Sequence, residues 1–364
     1  MSLPPLPASP TVAVAILNWN GRAHLETYLP SVVEHSAGAD VVVIDNGSTD
    51  DSLDWLRAHC PEVRVVALPE NSGFAGGYNK GLAQVEADVY VLLNSDVRVT
   101  RGWIPPVLEL LASGFSAAAP KLRNDSDPEL LEYAGAAGGY MDRDGFMFCA
   151  GRIFEVFETD AGQYDDNREV FWASGAALFV RSDAWHGVQG LDEDFFAHME
   201  EIDLCWRLKN RGHRVGACGE SVVYHLGGGT LQKLNPFKTY LNFRNNLFLL
   251  MKNHHRAAWP WMLTRRMVLD GIAALKFLTE GNGKLFQAVF NAHMAFYRAF
   301  PSTWAKRRSE SNAIASNHLA GPLAPLNYAG WYRRSILWDY FFKNRVTFDE
   351  LESSAFEEAA KERS

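Results

Sequence analysis

The chain has 364 residues, 47% of them hydrophobic and 12% aromatic, with a net charge of −8. That much apolar material fills a core, which excludes global disorder, and the length predicts one large domain or two smaller ones. The charge is unevenly placed: residues 230–308 hold 13 Lys and Arg against Asp270 and Glu280, a local +11 that leaves −19 on the rest.

Residues 1–10 (MSLPPLPASP) lack an apolar run and read as a disordered terminus, not a signal peptide. Short β-branched runs then alternate with helical periodicity. Strands are predicted at 12–17, 41–45, 63–67 and 89–93, and helices at about 22–35, 51–58, 75–85 and 103–112. This is the rhythm of an α/β fold with a doubly wound, mostly parallel sheet and helices on both faces. Residues 121–170 predict loops and short strands, Phe171–Val180 a strand, and Glu200–Arg211 a helix ended by Gly212. Beyond Gly229 the pattern is helical and amphipathic, and residues 346–364 read as an acidic tail, mobile at its end. No internal repeat is visible, and no apolar run reaches the length of a transmembrane helix. Cys60, Cys149, Cys205 and Cys218 are scattered without a CxxC, as reduced buried thiols of a cytosolic protein are.

Two strand ends carry acids: Asp45 in Asp45-Asn46-Gly47-Ser48-Thr49-Asp50 and Asp96 in Asn94-Ser95-Asp96. Ligands of open α/β sheets bind at that edge. Asp45 can accept a nucleobase N–H or simply close a turn. Asp96 can hold Mg²⁺ or Mn²⁺ if a diphosphate completes the shell, or belong to a plain turn. The first strand ends in Leu17-Asn18-Trp19, where Trp19 can stack on a base or serve the core. In the segment from Asn71 to Asn79, Gly73 and Phe74 open a helix whose free N–H groups suit a diphosphate, although Gly-rich turns are common. Glu200 and Glu201 start a helix beside Phe195 and Phe196. One can be a general base, or both can answer the helix dipole. Asp203 and Arg207 can pair at i,i+4. His225, ahead of three glycines, can be a metal or diphosphate contact or a structural histidine.

The ordered set ILNWNG, VIDNGSTD, ENSGFAGGYNKG, LLNSD, WASGAALFVR, LDEDFFAHMEEIDLCWRLKNRG, HLGGGT and YLNFRNNLFLLMKN resembles family 2 nucleotide-sugar glycosyltransferases of the GT-A fold, over about residues 11–255. It is most similar to bacterial rhamnosyltransferase-like members that build cell-surface polysaccharides. The resemblance implies a nucleotide-sugar site at Leu17, Asn18, Trp19, Asp45, Gly73, Phe74, Asn79, Asn94, Ser95 and Asp96. It implies a base among Glu200 and Glu201, where the family has Glu-Asp, and a Mg²⁺ or Mn²⁺ ion at Asp96 with His225. Trp172, Ser174 and Gly175 are expected on the acceptor side. The implied reaction is inverting transfer from a dTDP-rhamnose or UDP-hexose-like donor to a glycan or polyprenyl-diphosphate-linked acceptor. The alternatives are a catalytically silent nucleotide-sugar-binding scaffold and a sugar nucleotidyltransferase, whose triphosphate loop ILNWNGR does not resemble.

The expected organisation is a catalytic domain over 11–229, with 11–120 as its nucleotide-sugar half and 121–229 as its acceptor half. A basic helical region over 230–345 and the tail 346–364 follow. Within 257–308, Trp259, Trp261, Met267, Ile272, Phe290 and Trp304 alternate with Arg265, Arg266, Lys276 and Lys306-Arg307-Arg308. Such a pattern suits a helix lying on anionic lipid, and equally helices packed on the body or a homodimer contact. The expectation is a cytoplasmic protein, peripheral on the inner face of the membrane. No nucleic-acid module accompanies the basic stretch, so nucleic acid is not an expected partner.

Overall fold

A computed structural model describes residues 4–132, 135–227, 235–319 and 326–358. The N-terminal apolar runs form β1 (Val12–Asn18), β2 (Asp40–Asp45), β3 (Arg64–Ala67) and β4 (Val89–Asn94), separated by α1 (Arg22–His35), α2 (Ser52–His59) and α3 (Gly73–Leu82). The four strands are parallel in the order β3-β2-β1-β4. The Val, Ile and Leu residues of β4, and those of β1 except Leu17, are buried, as expected of strands covered on both faces. Next come β5 (Val97–Val99), α4 (Ile104–Ala112), β6 (Phe115–Asn124), β7 (Gly139–Asp142), β8 (Met147–Cys149), β9 (Arg152–Ile153), β10 (Val156–Phe157), β11 (Arg168–Glu169), β12 (Ala177–Arg181), α5 (Ser182–Gly187), α6 (Glu200–Asn210) and β13 (Arg214–His225). They complete a nine-stranded mixed sheet in the order β11-β13-β6-β12-β4-β1-β2-β3, with β5 paired to β13. β12 is antiparallel to both neighbours, which places its start beside the carboxyl ends of the parallel strands.

One face of the sheet packs on α1, α2 and α4 through Leu25, Leu29, Trp55, Leu56, Trp103 and Val107. The other packs on α3, α5 and α6 through Tyr78, Leu82, Trp185, Leu204 and Leu208. The C-terminal region supplies α7 (Pro236–Asn253), α8 (Trp259–Thr279), α9 (Gly283–Leu319), β14 (Trp331–Tyr332) and α10 (Ile336–Lys343). α7 lies against α6, α8 and α9. β14 adds to a five-stranded sheet, pairing parallel with β7. Among the described residues no helix is long and apolar enough to cross a membrane. All four cysteines are buried and free.

Three expectations change. The strand expected over Phe171–Val180 is β12, Ala177–Arg181; ahead of it Phe171 and Trp172 are buried in the core and a turn contains Gly175. The acidic tail packs as far as it is described. Phe348 and Phe356 meet Tyr140 and Tyr332 at ring centroid distances of 4.7 Å each, and Leu351 and Ala355 are buried. Apolar residues spaced through the acids drive this return; the end expected to be mobile, 359–364, lies outside the described residues. At the other terminus the Pro4 carbonyl accepts from Arg181, and Leu6 packs on the core, while residues 1–3 lie outside the described residues.

About half of the basic stretch is internal wiring. Lys252 bonds Asp192 (2.6 Å) and Asp203 (2.9 Å), Lys306 bonds Asp192 (2.5 Å) and Asp194 (2.6 Å), Arg265 pairs with Asp144 (2.9 Å), Arg266 with Asp270 (2.7 Å) and Arg256 with Glu357 (2.5 Å). Arg307 donates to the carbonyls of Met251 and His254. The local positive charge therefore clamps the helices to an acidic body.

Candidate active site

Parallel register sets Asn18 beside Asp45 and Leu17 beside Asn94, so the ends of β2, β1 and β4 form one polar row. Asn18 is fully buried and donates its amide to Asp45 Oδ1 (3.1 Å) and Ser48 Oγ (3.2 Å). The Ser48 N–H donates to Asp45 Oδ2 (3.1 Å). Each Asp45 oxygen thus has one protein partner and keeps a lone pair. Asn18 Oδ1 is buried with no protein partner and faces Gly21, where a Cβ would stand 2.6 Å from it. Trp19 is 50% exposed beside this row. The Asn20 side chain fixes the adjoining turn by accepting from the Thr49 N–H (2.7 Å).

Asn46, which sequence reading passed over, ties the row to α3. Its amide donates to Asn71 Oδ1 and the Gly73 carbonyl (3.0 Å each), and its oxygen accepts from the Ser72 N–H (3.1 Å). Gly73 sits at φ +74°, with the Phe196 ring 2.6 Å from where a Cβ would be, so no side chain fits. The Phe74 N–H, expected to face a diphosphate, donates instead to the Phe196 carbonyl (2.7 Å). Asn79 is also turned elsewhere. Its side chain holds the backbone N–H and carbonyl of Leu191 (2.9 Å each) and Glu193 (3.1 Å), so it serves that loop.

Asn94, Ser95 and Asp96 lie at the end of β4. Asp96 Oδ1 is 3.2 Å from His225 Nε2, and the Asn94 amide is 3.4 Å from the same nitrogen. On the ring's far side Nδ1 lies 3.4 Å from Glu132, a buried acid that sequence reading missed. Burial pulls the imidazole pKa down, but Glu132 and Asp96 override it and push it up to about 10. Burial likewise works to raise the Asp96 carboxyl, and the His225 hydrogen bond and charge hold it below its usual range. A carboxylate, an imidazole and an amide converge, and a second acid backs the imidazole as carboxylates back metal-bound histidines. A hard divalent cation here would draw on the Asp96 carboxylate, would displace the proton that Glu132 and Asp96 hold on His225, and would take its remaining ligands from phosphate and water. No preformed cage of three or more His, Cys, Asp or Glu exists among the described residues.

The acid pair opens α6. Glu200 is buried, and burial first, then the neighbouring Glu201, raises its pKa well above the ordinary value. Burial pushes Glu201 up to about 7, while backbone N–H groups at the helix start restrain the rise. An oxygen of each is buried without a protein partner. Gly175 is what Glu201 rests on: a Cβ there would lie 3.3 Å from the Glu201 Cβ and Cγ. The next residue's carbonyl, on Ala176, accepts from the Asn94 N–H (2.9 Å). One backbone strap therefore separates the acid pair from the Asn94–Asp96–His225 group. Of the other two residues expected on the acceptor side, Ser174 is buried and accepts from the Ala176 N–H (3.2 Å). Trp172 is a core residue. It donates to the Tyr140 carbonyl (3.0 Å), and its ring occupies the space left by Gly139, where a Cβ would lie 2.0 Å away. Asp203 and Arg207 pair at 2.7 Å as expected.

Residues 13–187 match the model of glycosyl transferase family 2. Over 288 residues the chain is 26% identical to the N-acetylglucosaminyl-diphospho-decaprenol L-rhamnosyltransferase of Mycobacterium tuberculosis, covering 73% of this chain and 91% of that protein. Over 211 residues it is 30% identical to the pre-mycofactocin glycosyltransferase of the same organism, covering 57% of this chain and only 41% of that longer relative. Among solved structures, GalNAc-T7 with UDP, GalNAc and Mn²⁺ matches with a TM-score of 0.57 at 15% identity, over 88% of this chain and 60% of that one; the likeness is one of fold. The chain has the GT-A fold, and its residues 13–187 are similar to glycosyl transferase family 2.

Proposed function

We propose that the protein is an inverting glycosyltransferase that uses a nucleotide-diphospho-sugar and a hydroxyl of a glycan or polyprenyl-diphosphate-linked acceptor. The observation that carries this reading is the strap. It sets Glu201, whose pKa burial pushes up to about 7, across one segment of backbone from Asp96 and His225. Glu201 rather than Glu200 is the base. Backbone N–H groups at the helix start restrain the rise of its pKa to about 7, while burial and the neighbouring Glu201 raise Glu200 well above its ordinary value.

In the proposed step Glu201 takes the proton of the acceptor hydroxyl, and the oxygen bonds to the anomeric carbon. The bond from that carbon to the diphosphate breaks, its electrons leave with the nucleoside diphosphate, and the transition state has oxocarbenium character. Trp19 offers its exposed face to the nucleobase, and Asp45, each of whose oxygens keeps a lone pair, would accept from its edge. Asp96 and His225 would hold Mg²⁺ or Mn²⁺, which supplies Lewis-acid stabilisation of the departing diphosphate. The GalNAc-T7 structure, solved with Mn²⁺, supports a divalent ion without choosing between the two.

Rhamnose from a dTDP donor and a lipid-diphosphate acceptor are the favoured substrates. Support comes from the rhamnosyltransferase whose match spans 91% of its length and whose name specifies a decaprenol-linked acceptor. A lipid-linked acceptor asks for a membrane surface. α8 and α9 offer exposed Val268, Ile272, Leu275, Phe290 and Tyr297 around an apolar groove of about 490 Å³, and α8 also exposes Trp261. The test is a transfer assay with dTDP-rhamnose, UDP-hexoses and GDP-sugars on N-acetylglucosaminyl-diphosphoprenol, with and without Mn²⁺ or Mg²⁺. Transfer with inverted stereochemistry from one donor is expected. Donor binding without turnover on any acceptor would instead support a silent scaffold.

A further inference from the structure

The loop leading into the acid pair holds three bulky residues in the left-handed region: Phe196 at φ +62°, His198 at +70° and Met199 at +72°. L-residues with side chains avoid this region, so the surrounding structure must impose it. One side chain gathers most of the loop's carbonyls. Asn245 of α7, fully buried, donates its amide to the carbonyls of Phe195 (3.0 Å), Ala197 (2.9 Å) and His198 (2.8 Å). Two amide hydrogens thus serve three converging carbonyls, one of them shared. The Asn245 oxygen is held by Arg244 through Nε (2.9 Å) and Nη2 (2.8 Å), which fixes the amide's orientation. Arg244 Nη2 also reaches the carbonyls of Asp194 (2.9 Å) and Phe195 (3.1 Å).

The carbonyl that Asn245 leaves free in this run belongs to Phe196. It accepts from the N–H groups of Phe74 (2.7 Å) and Ala75 (3.4 Å) at the start of α3, the helix that Asn46 joins to the nucleotide-side strand ends. We infer that Arg244 and Asn245 are positioning residues for the transfer. They lock the 195–199 loop so that Glu200 and Glu201 begin α6 against Gly175, and they connect that position to the donor-side helix. This rests on the proposed role of Glu201.

The test compares Asn245→Ala with Asn246→Ala. Asn246 is the next residue on α7, equally buried, and donates instead to the Gly145 carbonyl (3.0 Å) and the Met147 sulfur (3.5 Å), away from the loop. Two readouts are taken: kcat against donor Kd, and hydrogen exchange of the Phe74 and Ala75 amides. In Asn245→Ala, kcat is expected to fall about 100-fold, as displacement of a reacting group by about 1 Å does, with donor Kd within about twofold. The two amides should lose protection. Asn246→Ala should keep their protection and most of kcat. Equal losses in both variants, or unchanged protection in Asn245→Ala, would overturn the inference. If Asn245→Ala does not fold, Arg244→Met, which releases the Asn245 oxygen and the carbonyls of Asp194 and Phe195 but keeps the Asn245 amide donors, should show the same pattern in weaker form; full protection there would overturn it too. If the wild-type protein transfers no sugar, the exchange readout still decides the loop's anchoring, while the proposed function fails separately.

Discussion

Replacing Glu201 by Gln should damage activity and improve stability, with the two effects separable by pH. Glu201 is the carboxylate whose pKa burial pushes from 4.5 to about 7. The folded-state value lies above the unfolded one. Its contribution to stability is therefore complete below about pH 4.5 and is lost as pH rises through about 7. At about 1.36 kcal/mol per pKa unit, the wild-type fold carries up to about 3 kcal/mol of buried-charge penalty above pH 7, an upper figure because Glu200 shares the titration. Gln keeps the shape and never ionises. The variant should match the wild type in melting temperature near pH 4.5 and exceed it by a few degrees at pH 8.5. Its kcat should fall by about 10² to 10⁴-fold, the usual worth of a general base. The acid limb of the wild-type pH–rate profile, with its midpoint near 7, should vanish. The assays are transfer rates at saturating donor from pH 5 to 9 and melting scans over the same range. A kcat within about twofold of wild type would remove Glu201 from the chemistry. A melting difference that does not grow with pH would refute the buried-charge account.

His225→Ala should abolish specific Mn²⁺ binding, read by electron paramagnetic resonance in the presence of nucleoside diphosphate. Glu132→Gln should weaken it about 10- to 100-fold, because Glu132 only backs the imidazole (3.4 Å). Trp19→Ala should weaken nucleotide binding in calorimetry by about 1–3 kcal/mol, the worth of one base–aromatic stack, and leave the melting temperature unchanged because the ring is half exposed. Ile272→Asp with Leu275→Asp should abolish co-flotation with lipid vesicles. Wild-type flotation should depend on anionic lipid less than a local charge of +11 implies, because Lys252, Arg256, Arg265, Arg266, Lys306 and Arg307 are engaged internally. If the double variant leaves flotation intact but splits a dimer on gel filtration, the α8–α9 face is a contact between copies.

What the sequence discloses here, and what it hides, follows from the range of each interaction. β1, β2 and β4 are legible because a buried parallel strand is a local property, an unbroken β-branched run. Their polar ends are legible too, since parallel pairing necessarily gathers them on one edge, and Asn18, Asp45 and Asn94 do lie in one row. Glu132 was not legible. It is an ordinary acid in a loop until β6 and β13 pair in parallel and the chain after Asn124 folds back, its Glu132 N–H donating to the Leu122 carbonyl. Only then do Glu132 and His225 meet. Trp172 misled for the same reason. An aromatic among small residues resembles a ligand wall, but the vacancy that admits its ring is Gly139, far upstream.

The basic stretch carries the sharper lesson. Counting charge along 230–308 predicts a cationic surface, yet the counter-ions Asp192, Asp203, Asp144 and Glu357 arrive from outside it or from the far end of the chain. A paired charge is felt far less at a distance than a free one, though Lys284, Arg298 and Arg308 remain exposed, whereas apolar residues cannot be neutralised by a partner and stay exposed on α8 and α9. An attraction to lipid would therefore draw on the apolar face more than the local charge count suggests. The same ion pairs do other work. By tying α7 and α9 to Asp192 and Asp203, they hold in place the helix from which Asn245 reaches the loop ahead of Glu201.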